Sequence, residues 1–292
     1  MMTWMAASRL DKSEERRGDE AWVKARWEDP RALVLGVDPA GLVPWVADGL
    51  GFVRPAGEYV AADHLLLGLV ADRAYFCTVA DLSDSGVSLR SVMDQLDTTD
   101  LQVAFAAAGL VGWHADCGFC PRCGSPTLTR LAGQSKLCTG CDRELYPRVD
   151  PAVIVAVLDA KDRLLLGRQR VWAPGRMSVF AGFVEVGESL EQAVHREVAE
   201  EVGLVLSSLR YLGSQPWPFP HSFMVAFAAR AVDSTIWLDP TEIEEARWFT
   251  REELRDAVAS AAVSLPRKTS IARRMIQAWQ ADTLDVGSTA LE

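Results

Sequence analysis

Residues 182–204, GFVEVGESLEQAVHREVAEEVGL, constrain this chain more than any other stretch. Ser189 is placed to N-cap a helix, and Gln192, three residues on, completes a capping box. Gly203 suits the C′ position at the far end. Val194, Val198 and Val202 recur at i, i+4, i+8 and form an apolar stripe. Glu197, Glu200 and Glu201 fall at i, i+3, i+4 and share the adjacent face. Three carboxylates on one turn repel each other unless something neutralises them. A hard divalent cation does that, and oxygen ligands suit Mg²⁺ or Mn²⁺. Gly182 and Gly187 flank the loop entering the helix and permit close backbone approach to a ligand. A bare Glu-x2-Glu-Glu is usually only a solvated helix face; here the specificity lies in the whole string.

Two further patterns bear on chemistry. Cys120-x2-Cys123-x14-Cys138-x2-Cys141 offers four thiolates in two pairs, which suits tetrahedral Zn²⁺. Cys117-x2-Cys120 is also a pair. Cys120/Cys123 is preferred because Gly124 relieves the turn after the second sulfur, which leaves Cys117 and Cys77 as bystanders. Four filled positions make the zinc structural. The other pattern is SQPWPFPHS, Ser214 to Ser222. Three prolines interleaved with Trp217 and Phe219 make a stiff loop that presents aromatic faces on which a base can stack.

At 292 residues the chain is long enough for about two domains. Its net charge of −10 argues against a protein whose main work is sequence-independent grip on phosphate backbones. Local basic residues (Arg148, Arg168, Arg170, Arg176, Arg267, Lys268, Arg273, Arg274) offset that charge in two stretches. No apolar segment approaches the ~18 residues of a membrane span. Charges begin early at the N-terminus without an apolar run before them, so a cytoplasmic location is expected. Cys-x2-Cys pairs in a reducing compartment read as metal sites rather than disulfides.

Residues 1–30 read as a charged, poorly ordered arm. Short apolar runs at 32–37, 64–70 and 74–79 predict strands, and 97–114 predicts an apolar helix packed on another domain or subunit. In the cysteine-bearing stretch, strands are expected at 126–131 and 143–146. Beyond it, strands are expected at 152–158, 163–167, 208–213, 222–231 and 244–249, with helices at 190–202 and 268–280.

Gly182, Glu188, Arg196, Glu197, Val198, Glu200, Glu201, Gly203 and Leu204 match the Nudix box, G-x5-E-x7-R-E-U-x-E-E-x-G-U with U apolar, at every fixed position. With the SQPWPFP loop after it and the cysteine quartet before it, the chain resembles the zinc-ribbon NADH pyrophosphatases. That resemblance covers residues 117–280 well. It implies an α+β chain: a Nudix α/β/α sandwich over 148–285, a zinc ribbon over 117–147, and a β-rich N-terminal domain over 1–116. It further implies metal-dependent hydrolysis of NAD(H) to AMP and nicotinamide mononucleotide, removal of NAD caps from RNA, one structural zinc per chain and a homodimer.

Carried over residue by residue, the resemblance assigns Glu197, Glu201, Glu242 and the carbonyl of Ala181 to Mg²⁺ or Mn²⁺, with Glu200 completing the acidic cluster. Glu197, Glu200 and Glu201 are the catalytic candidates. Tyr146, Phe183, Gln215, Pro216, Trp217, Pro218, Phe219, Pro220, His221, Ser222 and Ala272 match substrate-contacting positions, and Arg90 matches one through a weaker alignment. His221 stands where the family usually has Gln, and residues 133–136 depart from its acidic and aromatic pattern. Two other readings remain open: a Nudix hydrolase for ADP-ribose or a diadenosine polyphosphate, and a zinc-ribbon nucleic-acid-binding regulator with an idle Nudix domain.

Overall fold

The computed structural model describes residues 7–287 and gathers them into two units, one of residues 7–149 with 217–221 and one of residues 150–216 with 222–287. In the N-terminal unit, helix α1 (Glu20–Trp27) occupies part of the expected disordered arm. Asp19 caps it by accepting from the Trp22 amide at 3.0 Å, and Val23 and Trp27, one turn apart, are buried. Strands β1 (Leu33–Val37), β2 (Leu65–Val70) and β3 (Arg73–Val79) form a sheet of order β1-β3-β2. The first pair is parallel and the second antiparallel. Val34, Leu66, Ala74 and Phe76 join Val23 and Trp27 in one apolar cluster.

A short helix, α2 (Leu89–Val92), leads towards α3 (Thr98–Asp116). Asp97 caps α3 by accepting from the amides of Thr99 and Asp100, both at 2.8 Å. Eight of its residues are buried, including Leu101, Phe105 and Val111, and the helix packs on all three strands of its own sheet. Much of the apolar surface expected to need another domain or subunit is therefore covered within this unit. The cysteine-bearing stretch folds as three antiparallel strands, β4 (Thr127–Arg130), β5 (Ser135–Cys138) and β6 (Glu144–Leu145), in order β6-β5-β4. The buried Lys136 ties it to the end of α3, donating to the carbonyls of His114 at 3.0 Å and Cys117 at 2.9 Å. A cation at a helix C-terminus is favoured by the helix dipole.

In the C-terminal unit the central strand is β7 (Asp150–Leu158), nearly all apolar. It pairs in parallel with β11 (Ser222–Ala231) and antiparallel with β8 (Leu164–Gln169) and β9 (Phe180–Phe183). Strands β10 (Leu206–Trp217) and β12 (Ile243–Phe249) complete a sheet of order β10-β11-β7-β8-β12. Successive side chains of a strand point to opposite faces, and here both faces are buried. Ile154, Ala156 and Leu158 pack with Ile271, Met275, Ile276 and Trp279 of helix α6 (Ile271–Gln280). Val153, Val155 and Val157 pack with Val194, Val198 and Val202 of helix α4 (Leu190–Val202). Helix α5 (Arg251–Ala259), absent from the sequence expectations, precedes α6. The result is the expected α/β/α sandwich, with a zinc-ribbon-like module and a β-rich region ahead of it in the chain.

Candidate active site and zinc ribbon

Helix α4 forms as its caps dictate. The Ser189 hydroxyl accepts from the Gln192 amide at 3.1 Å, and the Gln192 side chain accepts from the Ser189 amide at 2.8 Å. Gly203 closes the helix at φ +69°, in the left-handed region. The valine stripe turns inward, so the carboxylates are left along its edge. Arg196 organises them. Its Nε and Nη2 donate to the two oxygens of Glu188 at 2.6 and 2.8 Å. Nη1 donates to Glu197 at 2.9 Å and Glu200 at 3.0 Å, and Nη2 also reaches the Phe183 carbonyl at 2.9 Å. This planar fork holds Glu188 well below the usual carboxylate range, at about 2.

Glu201 is different. It is only 3% exposed, and its Oε2 is buried with no hydrogen-bond partner. Burial first, then the charges of Glu197, Glu242 and Glu200, push its carboxyl up to about 8. Burial also raises Glu197, against the pull of Arg196. A buried carboxylate oxygen without a donor is costly. A cation among these four carboxylates would remove that cost, so the residues present fit the divalent ion that the box implies. Glu242 is exposed in the loop before β12 and acts electrostatically on both Glu197 and Glu201. Ala181, on β9, pairs with Ile154 of the central strand. Beside it, a Cβ on Gly182 would collide with the Glu197 carboxyl group.

The four cysteines converge. The Sγ atoms of Cys120, Cys123, Cys138 and Cys141 all lie within 4.8 Å of one another, and among the described residues this is the group of metal-ligating side chains drawn so close. Cys117 is outside it, so the pair drawn into the group is Cys120/Cys123. Gly124, at φ +72°, makes the turn after the first pair. The Ser125 amide and hydroxyl, with Cys138, bring the Cys123 thiol down to about 6, towards the thiolate that a metal needs. The set fits structural zinc. Cys77 is fully buried and its thiol is pushed up by burial.

The substrate candidates divide. Trp217 to His221 fall in the N-terminal unit, where Trp217, Phe219 and Phe105 meet edge to face with centroids 5.3–6.4 Å apart. Arg90 of α2 lies over both rings of the loop, 5.8 Å from Trp217 and 5.6 Å from Phe219. The fold thus joins to this loop a residue that sequence alignment reached only weakly, and it adds Phe105, which no motif marks. Pro218 is half-buried and Pro216 and Pro220 are exposed. Gln215, in the C-terminal unit, is fully buried. Its Nε2 donates to the Thr269 carbonyl at 3.0 Å and its Oε1 accepts from the Ile271 amide at 2.6 Å, so both ends of the amide are used within the protein. Ala272, in the first turn of α6, faces the core, and Ser222 opens β11. Phe183 and Tyr146 are 57% and 62% exposed, each in its own unit.

This capped acidic helix against a mixed sheet defines the class: the chain belongs to the Nudix hydrolases, and the NUDIX domain family matches residues 148–269. A second family, the NADH pyrophosphatase zinc ribbon domain, matches residues 115–146 and places the chain in the zinc-ribbon branch. It is 39% identical over 292 residues to the NAD-capped RNA hydrolase NudC of Mycobacterium tuberculosis, spanning 93% of this chain and 92% of that protein. It is also 39% identical over 197 residues to the human NAD-capped RNA hydrolase NUDT12, spanning 63% of this chain and 43% of that protein. A solved Nudix hydrolase from Nitrosomonas europaea covers 46% of this chain and 78% of its own, with a TM-score of 0.41 and 23% identity. Among the described residues no helix is long and apolar enough to cross a membrane.

Proposed function

We propose that this enzyme hydrolyses the central pyrophosphate of NAD(H), giving AMP and nicotinamide mononucleotide, and removes NAD caps from RNA 5′ ends. The observation that carries the pyrophosphatase reading is Glu201: buried, with an unpartnered oxygen, and raised by burial and by the charges of Glu197, Glu242 and Glu200. Glu197, Glu201, Glu242 and the Ala181 carbonyl would hold Mg²⁺ or Mn²⁺. When bound, such an ion supplies neutralisation of the diphosphate and acidifies an attacking water. The water oxygen bonds to one phosphorus while the bridging oxygen leaves with the other, so two monophosphates result. Arg196 keeps Glu197 and Glu200 aimed, and the exposed rings of Phe183 and Tyr146 offer stacking faces for a base. Gln215 acts through the backbone it holds rather than by touching substrate.

NAD as the dinucleotide is supported by the zinc ribbon, by the SQPWPFP loop with Arg90 over its rings, and by the names of the relatives. The unbroken carboxylate set and the net charge of −10 disfavour an idle, nucleic-acid-binding regulator. A homodimer in the cytoplasm is part of the same reading; a monomer by light scattering, active at nanomolar dilution, would remove the dimer from it. The deciding assay compares NADH, ADP-ribose, a diadenosine polyphosphate and NAD-capped RNA with Mg²⁺ or Mn²⁺. Cleavage of NADH and of the cap is expected. Turnover of ADP-ribose with NADH untouched would overturn the assignment.

A further inference from the structure

Phe105, Gly109 and Trp113 recur along α3 at i, i+4, i+8, so they lie one above another on a single face of the helix. Phe105 meets the rings of Trp217 and Phe219 edge to face, with centroids 6.4 and 5.7 Å apart. A Cβ on Gly109 would stand 3.5 Å from the Cβ of Pro218, so this proline lies against bare helix backbone. At the other end, the Trp113 ring lies 5.6 Å from the ammonium of Lys136. From Phe105 to Trp113 the helix rises about 12 Å. One face of α3 therefore carries the aromatic loop at one end and the zinc-ribbon module at the other.

Lys136 makes the second of these joints. It is buried, in β5, opposite Leu145 of β6, and Tyr146 is the next residue of the chain. An ammonium has three protons and accepts nothing. Here it donates to the carbonyls of His114 and Cys117 at the end of α3 and lies over the Trp113 ring, a cation–π contact. Two neighbouring ties hold the turn between β4 and β5 instead. His114 Nε2 donates to the Gly133 carbonyl at 2.7 Å, and Gln134 Nε2 donates to the Leu66 carbonyl at 2.8 Å. Lys136 acts within the sheet, beside Tyr146. It also lies in the stretch, 133–136, where the chain departs from the acidic and aromatic pattern of its family.

We propose that Lys136 is a positioning residue for the substrate. Through the Phe105–Gly109–Trp113 face of α3 it fixes the offset between Tyr146 and the cluster of Trp217, Phe219 and Arg90. The proposal rests on the NAD reading above, which gives both places to the dinucleotide, and names what sets their spacing. A buried charge is costly unless fully paired, and an apolar side chain would serve packing as well. Directional bonds from one ammonium to two carbonyls fix a register that apolar contact leaves free to slide. Glu197, Glu200 and Glu201 lie on α4 in the C-terminal unit, so the pin acts on substrate binding and not on the cleaving step.

The test uses the full-length, zinc-loaded enzyme. Lys136→Met keeps the apolar stem and removes the charge and the donors. Its KM for NADH should rise about tenfold, the scale of losing one base-stacking contact. Its kcat should stay within about twofold of wild type, as for a loss of binding shared by ground and transition states, and its zinc content should be unchanged. Lys136→Arg returns a cation to the ring and donors to the carbonyls, and should bring KM back towards wild type; an Arg variant as impaired as the Met variant would overturn the pin. A second readout needs no substrate. The chain has four tyrosines, and in fluorotyrosine-labelled protein the Tyr146 resonance, identified with Tyr146→Phe, should move in Lys136→Met while that of Tyr211 stays. A Tyr146 resonance that does not move, or a fall in kcat at unchanged KM, would also overturn the pin. If Lys136→Met does not fold, Gly109→Leu decides: leucine must push Pro218 aside and raise KM for NADH with zinc retained, and a wild-type KM would refute the proposal. Wild type that leaves NADH uncut would refute the NAD reading, with the Tyr146 resonance still deciding the pin. Lys136→Met that cleaves NADH with wild-type KM would refute the pin and leave the NAD reading standing.

Discussion

Gly182 and Glu197 face each other so closely that a single methyl group on Gly182 would occupy the space of the Glu197 carboxyl. The strand and the helix are therefore matched at this point by the absence of a side chain, and the carboxylate lies directly on the backbone of β9.

Gly182→Ala is the sharpest consequence. The new Cβ meets a carboxyl that Arg196 holds, so Glu197 must leave its position. Turnover should fall by about 10²-fold or more, the scale for losing one preorganised electrostatic group. Stability should drop by about 1–3 kcal/mol, as for other overpacked sites. Steady-state kinetics beside thermal unfolding checks both, and a fully active variant would mean that Glu197 is not needed where it stands.

Glu201→Gln separates activity from stability. Turnover should again fall by about 10²-fold or more. In metal-free protein, however, the folded Glu201 carboxyl titrates at about 8, above its unfolded value near 4.3. A raised acid pKa means that the folded state prefers the proton, so this contribution is complete below the unfolded pKa and is lost as pH rises through 8. Wild-type protein without divalent metal should lose Tm between pH 5 and 9, and the Gln variant should lose less of it, ending a few degrees more stable at pH 9. Mg²⁺ should restore the wild type and not the variant.

Arg196→Lys keeps the charge and discards the fork. Glu188, held at about 2 by Arg196, should move back towards its ordinary value. Its depressed pKa gives stability that is present above the unfolded pKa and is lost as pH falls towards 2. The variant should therefore be less stable than wild type at pH 6 and nearly equal to it at pH 2. Carboxyl NMR of Glu188 and acid unfolding curves would detect this, and an unmoved Glu188 titration would contradict the role given to the fork.

Zinc content gives a third kind of readout. Cys120→Ser, Cys123→Ser, Cys138→Ser and Cys141→Ser should each lose the stoichiometric metal, whereas Cys117→Ser should retain it. Loss should be accompanied by a lower Tm, because binding energy at such a site is folding energy. Elemental analysis decides; zinc lost from Cys117→Ser and kept by Cys123→Ser would reverse the pairing.

Where local signals suffice, the chain can be read without coordinates. Helix α4 begins and ends where Ser189, Gln192 and Gly203 say it should, and the valines and glutamates take the faces their spacing dictates. Arg196, one turn before Glu200 on this helix, binds it and reaches Glu188 in the preceding loop. Helix α5 also carries a capping box, Thr250 with Glu253, but the apolar stripe that would reinforce this signal is missing, because Leu254 alone of that helix is buried. Helix α1 is hidden by its charges, since only Val23 and Trp27 face inward. Strand β5 is too short and too polar to announce itself beside Cys138. What no local pattern contains is adjacency: that Arg90 and Phe105 meet the loop at Trp217, or that residues near 175 and 264 share backbone hydrogen bonds.

Residues 217–221 belong with a unit whose other members all precede residue 150. The polypeptide consequently enters the N-terminal unit twice, and no single cleavage point yields both units whole. An excised fragment beginning at 150 would keep the Nudix box yet strand Trp217 and Phe219 without Phe105 and Arg90. An N-terminal fragment ending at 149 would lack the rings that cover Phe105. Modularity as drawn along the gene, ribbon first and hydrolase second, is therefore not modularity of folding: the shortest piece that retains this aromatic cluster must run from before residue 90 to beyond residue 221.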